Sequence, residues 1–271
     1  MKPIKIFSPA AMFCLMIAIL TSCEDIFQYN SNEVLLEEDE KNLNAKNIHL
    51  IEALPARDTL RFIVIADVHH NYEVFENFTE IANNLHDIAF VAVAGDLTSF
   101  GLQTEYRELH AILKKLHMPW VCVIGNHDLL GNGRKVYHEM FGALNFTFLC
   151  NGNKFICIDS NSREYNFNGQ VPDLAWLNHE IGATDASNIF IISHIAPFDH
   201  DFDPALENGY VSALASTEKV RISLHGHWHD FYKTYYYNDG ILYQVTDDLA
   251  DRGYTLISVW NEGFNIEQIR F

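Results

Sequence analysis

Apolar runs alternate with amphipathic stretches through the first half of the chain. The runs RFIVIA (61–66), IAFVAVA (88–94) and WVCVI (120–124) have the composition of buried strands. Between them, EVFENFTEIANNL (73–85) and LQTEYRELHAILKKL (102–116) place apolar residues on one face and predict helices. This alternation of strand and helix predicts an α/β layer with parallel strands.

The second half of the chain is richer in strands. PDLAWLNHEI (172–181) predicts a further helix, and NIFIIS (188–193) and VRISL (220–224) predict strands. Residues 232–246 predict a hairpin around an Asp-Gly pair, and two more strands follow without a helix between them. The fold class predicted for the whole chain is therefore α/β, with two sheets packed together as a sandwich and flanked by helices.

The N-terminal residues predict a lipoprotein signal. Two lysines precede an apolar run of 11 residues (10–20), which is short for a membrane span and suits the core of a signal peptide. The tetrad LTSC, which ends at Cys23, resembles the bacterial lipoprotein signal, in which the peptide is removed just before a cysteine that receives the lipid. A plain secretory signal with a coincidental cysteine, or an uncleaved anchor, is the alternative.

We therefore expect three parts and an exported protein. Residues 1–22 are predicted to be the signal peptide, 23–57 an acidic tether with a short helical segment, and 58–271 the main domain. The lipid on Cys23 would anchor the protein to a membrane of the bacterial cell envelope.

The net charge argues against two kinds of partner. The formal net charge is −18, and it becomes −20 without residues 1–22, which carry two lysines and no acid. Nucleic acid and anionic lipid surfaces both require basic contacts, so we expect neither nucleic acid binding nor electrostatic docking to a membrane. The sequence indicates no protein partner.

Three cysteines lie beyond the N-terminal segment. Cys122 falls within an apolar run and is expected in the core. Cys150 and Cys157 flank a turn-like NGN, and we expect free thiols there, with a bridge between them as the alternative. The cysteine spacing predicts neither a zinc ribbon nor a redox pair.

Side chains that can bind metals follow five predicted strands at the point where each strand ends. In open α/β sheets, ligands bind at the carboxyl ends of the strands. Imidazole and carboxylate ligands without a thiolate suit two manganese, iron or zinc ions better than calcium or magnesium. Several of these side chains follow a glycine, which would let the backbone approach a metal closely. The seven candidates are Asp67, His69, Asp96, Asn126, His194, His227 and His229.

The motifs D-x-H, G-D, G-N-H-D, H and G-H-x-H, in this order, resemble the calcineurin-like metallophosphoesterase family from about residue 60 to 230. The resemblance implies a two-sheet sandwich flanked by helices (αββα), with a dinuclear metal centre at the joint edge of the sheets. It implies that Asp96 bridges both metals. The first metal would be held by Asp67, His69 and His229, and the second by Asn126, His194 and His227.

The resemblance also implies roles for the neighbouring residues. His127 would lie near the substrate phosphate, and Asp128 would orient its ring. His225 falls outside the implied ligand set and is expected to be structural. His70, Arg134 and His200 are further candidates for substrate contact, each with an ordinary surface or loop role as the alternative.

The activity implied by the resemblance is hydrolysis of a small phosphate ester. A hydroxide bridging the two metals would attack phosphorus, and His127 would stabilise or protonate the leaving oxygen. A phosphodiester is favoured, because GDLTSFGLQTEYREL (95–109) resembles the cyclic-nucleotide phosphodiesterase branch of the family. The alternatives are a phosphomonoesterase and a non-catalytic, metal-binding surface lipoprotein of the same fold.

Overall fold

The structure, a computed structural model, describes residues 34–271. The fold described below is that of the compact unit Leu36–Phe271. The predicted signal peptide and Cys23 lie outside the described residues. Within the described part of the chain, no helix combines the length and the apolar character that crossing a bilayer requires.

One sheet contains five strands in the order β11-β10-β1-β2-β3. Strands β1, β2 and β3 are parallel, whereas β10 pairs antiparallel with both β1 and β11. The strands are β1 (Leu60–Ile65), β2 (Ile88–Ala94), β3 (Trp120–Val123), β10 (Gly253–Trp260) and β11 (Gly263–Arg270).

The other sheet contains six strands in the order β4-β5-β6-β7-β9-β8. Its four central strands are parallel, and an antiparallel strand closes each side. The strands are β4 (Phe146–Cys150), β5 (Asn153–Cys157), β6 (Asn188–Ile192), β7 (Val220–His225), β8 (Tyr232–Thr234) and β9 (Leu242–Val245).

Six α-helices accompany the two sheets within residues 34–271. They are α1 (Leu43–Glu52), α2 (Tyr72–Asn84), α3 (Gln103–Leu113), α4 (Gly133–Met140), α5 (Leu174–Gly182) and α6 (Pro204–Leu214). Phe78 of α2 packs on Tyr254 of β10, with 5.6 Å between the ring centroids. Leu177 of α5 and Tyr210 of α6 share an apolar cluster with Ile191 of β6. Helices therefore cover the outer face of each sheet.

Aromatic side chains fill the space between the two sheets. Phe62 and Phe90 stack with 5.0 Å between their ring centroids. Each also makes an edge-to-face ring contact with Phe155, which belongs to the other sheet. Strand β2 is buried at every position, because one of its faces meets the other sheet and the second is covered by helices. Full burial of each such phenylalanine contributes roughly 1.5–3 kcal/mol, so this layer is a main source of the stability that holds the strand ends in place.

Helix α1 closes one side of the sandwich. The amide of Asn44 accepts from the Cys122 N–H and donates to the Cys122 carbonyl, both at 2.9 Å. Asn47 accepts from the Trp120 N–H at 3.0 Å. The two asparagines pair with the edge strand β3 as a neighbouring strand would, which protects an otherwise open edge. The helical part of the acidic segment thus belongs to the compact unit.

The predicted α/β sandwich with helices outside is confirmed. The parallel pairing of β1, β2 and β3 is as expected, and the predicted strands and helices appear with bounds shifted by a few residues. The hairpin expected over 232–246 forms, but its strands are short and a seven-residue connection joins them. Helices α4 and α6 and the β4–β5 hairpin were not predicted.

The three cysteines beyond the N-terminal segment are buried free thiols, as predicted. Cys150 pairs with Asn153 and Cys157 with Phe146, so the two cysteines lie at opposite ends of the β4–β5 hairpin. Burial raises the pKa of Cys150 to about 11.

Candidate metal centre

The carboxyl ends of five parallel strands meet at one edge of the sandwich. Strands β1, β2 and β3 come from one sheet, and β6 and β7 come from the other. Backbone hydrogen bonds join the loops that follow them: Asp67 N–H donates to the Gly95 carbonyl at 3.1 Å, and Gly226 N–H to the His194 carbonyl at 3.0 Å. The structure brings all seven predicted ligands together at this edge.

The first cluster of ligands contains Asp67, His69 and His229, as implied by the resemblance. His229 Nε2 lies 3.3 Å from Asp67 Oδ1, and His69 Nε2 lies 4.0 Å from the same oxygen. The three side chains therefore present their ligand atoms to one small volume. We call it the first metal pocket.

The second cluster is built around the Asn126 amide. Asn126 Oδ1 lies 3.0 Å from His194 Nε2 and 3.1 Å from His227 Nδ1. Asp96 Oδ2 lies 3.4 Å from His194 Nε2 and 3.6 Å from His69 Nε2. We call this cluster the second metal pocket. Asp96 stands between the two pockets, which is the position of a bridging ligand.

An unpaired carboxylate oxygen shows that cations fit this site. Asp67 is fully buried, and its Oδ1 has no hydrogen-bond partner within the described residues. Imidazole nitrogens of His69, His194 and His229 lie within 4.0 Å of that oxygen. A buried carboxylate oxygen without a donor is costly, whereas a divalent cation among these nitrogens would satisfy it. The donor set thus fits two divalent metals.

The titration of His194 reflects the same demand for positive charge. Burial lowers its pKa, but the charges of Asp96 and Asp67 outweigh burial and raise it to about 10. Burial opposes ionisation of Asp96, yet His194 and His69 together hold the pKa of Asp96 well below its usual range. Two buried carboxylates at this edge therefore require cations beside them, and bound metals meet that requirement.

Backbone carbonyls orient two of the metal-facing histidines through the ring nitrogen that points away from the metal pockets. His194 Nδ1 lies 2.8 Å from the Ala94 carbonyl, and His69 Nδ1 lies 3.3 Å from the Thr98 carbonyl. Such contacts fix the tautomer and the ring orientation of a metal ligand.

Carboxylates contact the other two histidines, again at the ring nitrogen that points away from the metal pockets. The sequence had not pointed to this role for either carboxylate. His227 Nε2 lies 3.3 Å from Asp201 Oδ2, and His229 Nδ1 lies 3.6 Å from Asp248 Oδ2. Asp248 follows β9, which is parallel to β7, so the strand-end rule that found the ligands could have found this residue too. Asp201 comes from the loop after β6 and carries no comparable positional signal.

The glycines that precede Asp96 and His227 leave no room for a side chain. A Cβ at Gly95 would lie 2.4 Å from His194 Nδ1, and Gly95 also has a φ of +91°. A Cβ at Gly226 would lie 2.7 Å from the Ala66 Cβ. These contacts agree with the close backbone approach that the sequence predicted.

His127 lies beside the first metal pocket. Its ring centroid is 4.8 Å from that of His69, and its Nδ1 lies 2.8 Å from the Ser99 carbonyl. Its backbone N–H donates to Asp96 Oδ1 at 2.9 Å. Because a carbonyl only accepts, Nδ1 carries a proton, and Nε2 is the nitrogen free to meet a substrate.

The prediction that Asp128 orients the His127 ring is wrong. The Asp128 oxygens instead receive hydrogen bonds from the backbone of Gly125, Leu97 and Thr98 and from the Thr98 hydroxyl. These four donors occupy the carboxylate oxygens, so the Asp128 side chain holds the loop segments together. Asp128 thus holds the segment that carries the Ser99 carbonyl, and that carbonyl is what contacts the ring.

His225 is placed as a structural residue. It is fully buried, its Nδ1 lies 3.0 Å from the Ser193 hydroxyl, and burial lowers its pKa to about 3.

The three candidates for substrate contact lie in different surroundings. His70 contacts Glu105 at 2.5 Å beside the His127 loop, and His200 lines a cavity together with His227. The Arg134 guanidinium stacks over the Tyr165 ring at 5.3 Å and lines a different cavity, to which none of the seven ligands contributes. The structure therefore places His200 in a cavity with His227 and His70 against Glu105, and it places Arg134 in a cavity apart from the seven candidate ligands.

A family model described as calcineurin-like phosphoesterase matches residues 60–231. The chain belongs to this family. Of the curated proteins, a probable cyclic nucleotide phosphodiesterase of Rhodopseudomonas palustris is 23% identical over 227 residues, which are 72% of this chain and 83% of the relative.

Solved structures share the fold of this calcineurin-like phosphoesterase. A dimetal phosphatase from Danio rerio superposes with a TM-score of 0.64 at 13% identity, covering 77% of this chain and 95% of that one. The purple acid phosphatase PPD1 from yellow lupin (Lupinus luteus) gives a TM-score of 0.64 at 13% identity, covering 80% and 52%. With the family shown and with groups of carboxylates and imidazoles at this edge that could hold metal ions, the protein is a metal-dependent phosphoric ester hydrolase.

Proposed function

We propose that this enzyme hydrolyses a phosphodiester. The observation that carries the proposal is a pair of surfaces, one on each side of the metal pockets. On the His127 side, the half-exposed Phe100 ring lies 5.6 Å from the His70 ring. On the His227 side, Phe198 and Trp228 line a cavity. A diester has two organic groups to place, whereas a monoester has one.

The family resemblance and the curated relative support the same choice. The relative in Rhodopseudomonas palustris is named a probable cyclic nucleotide phosphodiesterase.

Different residues of the chain would hold the metals and transfer the proton. When bound, two divalent ions would polarise the phosphate oxygens and make a hydroxide available near neutral pH. The buried carboxylates of Asp67 and Asp96 would hold the cations. The Ser99 carbonyl accepts from the Nδ1–H of His127 and keeps the ring beside the first metal pocket. In the doubly protonated ring, the second proton, on Nε2, can pass to the leaving oxygen.

The donor set supports manganese, iron or zinc as the metals. Four imidazoles, two carboxylates and one amide oxygen are softer as a group than the all-oxygen sites that calcium and magnesium prefer. Metal analysis of the purified protein by plasma mass spectrometry tests this choice.

The deciding experiment compares bis(p-nitrophenyl) phosphate with p-nitrophenyl phosphate. Residues 24–271 contain the whole compact unit Leu36–Phe271 and are assayed metal-stripped and after addition of manganese, iron or zinc. We expect metal-dependent cleavage that is faster for the diester and is lost in Asp96→Asn and His127→Ala. Faster cleavage of the monoester would instead make the protein a phosphomonoesterase.

We further propose that the enzyme acts at the bacterial cell envelope, held by a lipid on Cys23. The support is the sequence alone: an 11-residue apolar run after two lysines, followed by the LTSC tetrad. In bacterial cells, the full-length protein should incorporate labelled palmitate and sediment with membranes. Cys23→Ala should lose the label, and retention of the label by that variant would contradict the proposal.

A further inference from the structure

A cavity of about 510 Å³ opens beside the second metal pocket. His227, a ligand of that pocket, forms part of its wall, so a group bound there would be attached close to the reacting phosphate. The hydrolytic steps described above use none of its other lining residues. These are Phe198, Asp199, His200 and Trp228.

Trp228 forms an exposed aromatic wall that is held in place. Its indole N–H donates to Asp199 Oδ2, and 37% of its surface is exposed. Its ring lies 5.2 Å from Phe198 and 5.5 Å from Tyr232 between centroids, and Phe198 stacks on Tyr236 at 4.3 Å. Packing of this kind fixes the aromatic faces before any ligand arrives.

The same wall carries negative charge that protein cations do not fully balance. Asp199 and Asp201 are both buried, and Arg163 pairs with Asp201 at 2.5 Å. Within residues 34–271, the ion-pair partners of Asp199 are the imidazoles of His200 and His227. Asp199, which lines the cavity, therefore has no guanidinium or ammonium partner within the described residues, and its carboxylate is available to a bound cation.

We propose that this cavity binds an ammonium group carried by one of the two organic groups of the phosphodiester, as in esters of choline or ethanolamine. Aromatic faces attract a cation through their quadrupole, and the Asp199 carboxylate adds charge complementarity. An uncharged planar group could also stack on Trp228, but without a positive charge it would gain less from the Asp199 carboxylate. This inference rests on the proposed phosphodiesterase function.

The test uses two diesters that differ in one charge. p-Nitrophenyl phosphorylcholine carries the ammonium, and p-nitrophenyl 3,3-dimethylbutyl phosphate is its carbon isostere with the same leaving group. With the metal-loaded enzyme we expect kcat/KM to be roughly tenfold higher for the choline ester, as a partly desolvated cation–π contact predicts. The ratio between the two esters cancels any general loss of activity in a variant.

Variants of the cavity test whether the preference for the choline ester arises there. Asp199→Asn keeps the shape and an acceptor for the Trp228 N–H, and it should bring the ratio close to one. Trp228→Leu should lower the ratio as well. Tyr235→Leu is the matched control, because Tyr235 is more than half exposed yet does not line this cavity, and its ratio should stay at the wild-type value.

The outcomes separate this inference from the proposed function. Equal cleavage of the two esters would overturn the ammonium site and leave the phosphodiesterase intact. Preference for thymidine 5′-(p-nitrophenyl) phosphate that depends on Trp228 but not on Asp199 would assign the cavity to a nucleobase instead. If no diester is cleaved, the proposed function fails. Calorimetric titration with phosphorylcholine and with 3,3-dimethylbutyl phosphate then tests the site, and equal affinities overturn it.

Discussion

Replacing Asp128 with alanine tests whether this carboxylate holds a loop. Its oxygens receive hydrogen bonds from the N–H groups of Gly125 at 2.8 Å, Leu97 at 3.1 Å and Thr98 at 2.9 Å, and from the Thr98 hydroxyl at 2.9 Å. Alanine removes every one of these acceptors, and each unpaired buried donor costs about 1–3 kcal/mol. Because part of the loop can relax towards water, we expect the free energy of unfolding to fall by about 3–5 kcal/mol.

The free energy of unfolding and kcat are both measured for three variants, which are Asp128→Ala, Asp128→Asn and His127→Ala. A loss of this size lowers the thermal midpoint of a domain this large by on the order of 10 °C. Asp128→Asn keeps one acceptor, so we expect an intermediate loss of about 2 kcal/mol. His127→Ala removes the proton donor and should lower kcat by roughly 100- to 10,000-fold, while the unfolding free energy stays within about 1 kcal/mol of wild type.

The two roles of Asp128 give opposite patterns. A carboxylate that holds the loop loses stability first, and activity follows because the Ser99 carbonyl moves away from the His127 ring. A carboxylate that acted directly on the ring would lose activity alone. Wild-type stability in Asp128→Asn, together with a fall in kcat as large as that of His127→Ala, would therefore refute the reasoning from the loop.

Four further outcomes are expected. Gly226→Ala should lose bound metal and activity, because its Cβ would lie 2.7 Å from the Ala66 Cβ, whereas Gly182→Ala, with nothing within 4 Å, should keep both. The hydrogen bond from Lys154 lowers the pKa of Glu180, so the stabilisation it provides is complete above about pH 4.5 and is lost as pH falls through the lowered pKa. Glu180→Gln should therefore lower the thermal midpoint at pH 7, and the difference from wild type should disappear once the pH has fallen below the lowered pKa. Chelation of the metals should lower the midpoint, and added manganese should restore it. Folded residues 24–271 should show almost no reaction with Ellman's reagent, and urea should expose three thiols, which are Cys122, Cys150 and Cys157.

The clustering of the candidate ligands could be predicted because two simple regularities coincide in this chain. Buried parallel strands appear in sequence as short apolar runs, and the residues that follow such runs meet at one edge of a sheet. Asp67, Asp96 and His194 each come within two residues of the end of a strand, so locating the strand located the side chain. The prediction needed no knowledge of how the two sheets are arranged.

The orientation of the histidines could not be predicted in the same way. The Ser99 and Thr98 carbonyls contact His127 and His69, and a backbone carbonyl has no signature in a sequence. The role given to Asp128 came from the family resemblance, and the backbone N–H groups that it binds instead have no signature in a sequence either. The contact between Asp201 and His227 depends on how two loops fold over each other.

The two helices that were not predicted, α6 and α4, differ in how clearly the sequence indicates them. Helix α6 begins after Asp203, whose side chain accepts from the Ala205 N–H at 2.9 Å, and Pro204 occupies its first turn. Asp-Pro before an apolar stretch is a recognised start signal, so this helix was within reach of the sequence. Helix α4 spans only eight residues and begins at a glycine, and so short a pattern does not distinguish a helix from a loop.

The backbone of the predicted metal ligands is strained. Five of the seven ligands have left-handed backbone conformations, with φ between 47° and 75°. They are Asp67, His69, Asp96, His227 and His229. A non-glycine residue in this region costs about 1 kcal/mol or more, so together they store roughly 5 kcal/mol, a large part of the stability of an ordinary domain. Glycine would relieve the strain at each position but would remove the ligand. The strained residues are thus the ones whose side chains must face the pockets, and metal binding to the folded state alone offsets the strain.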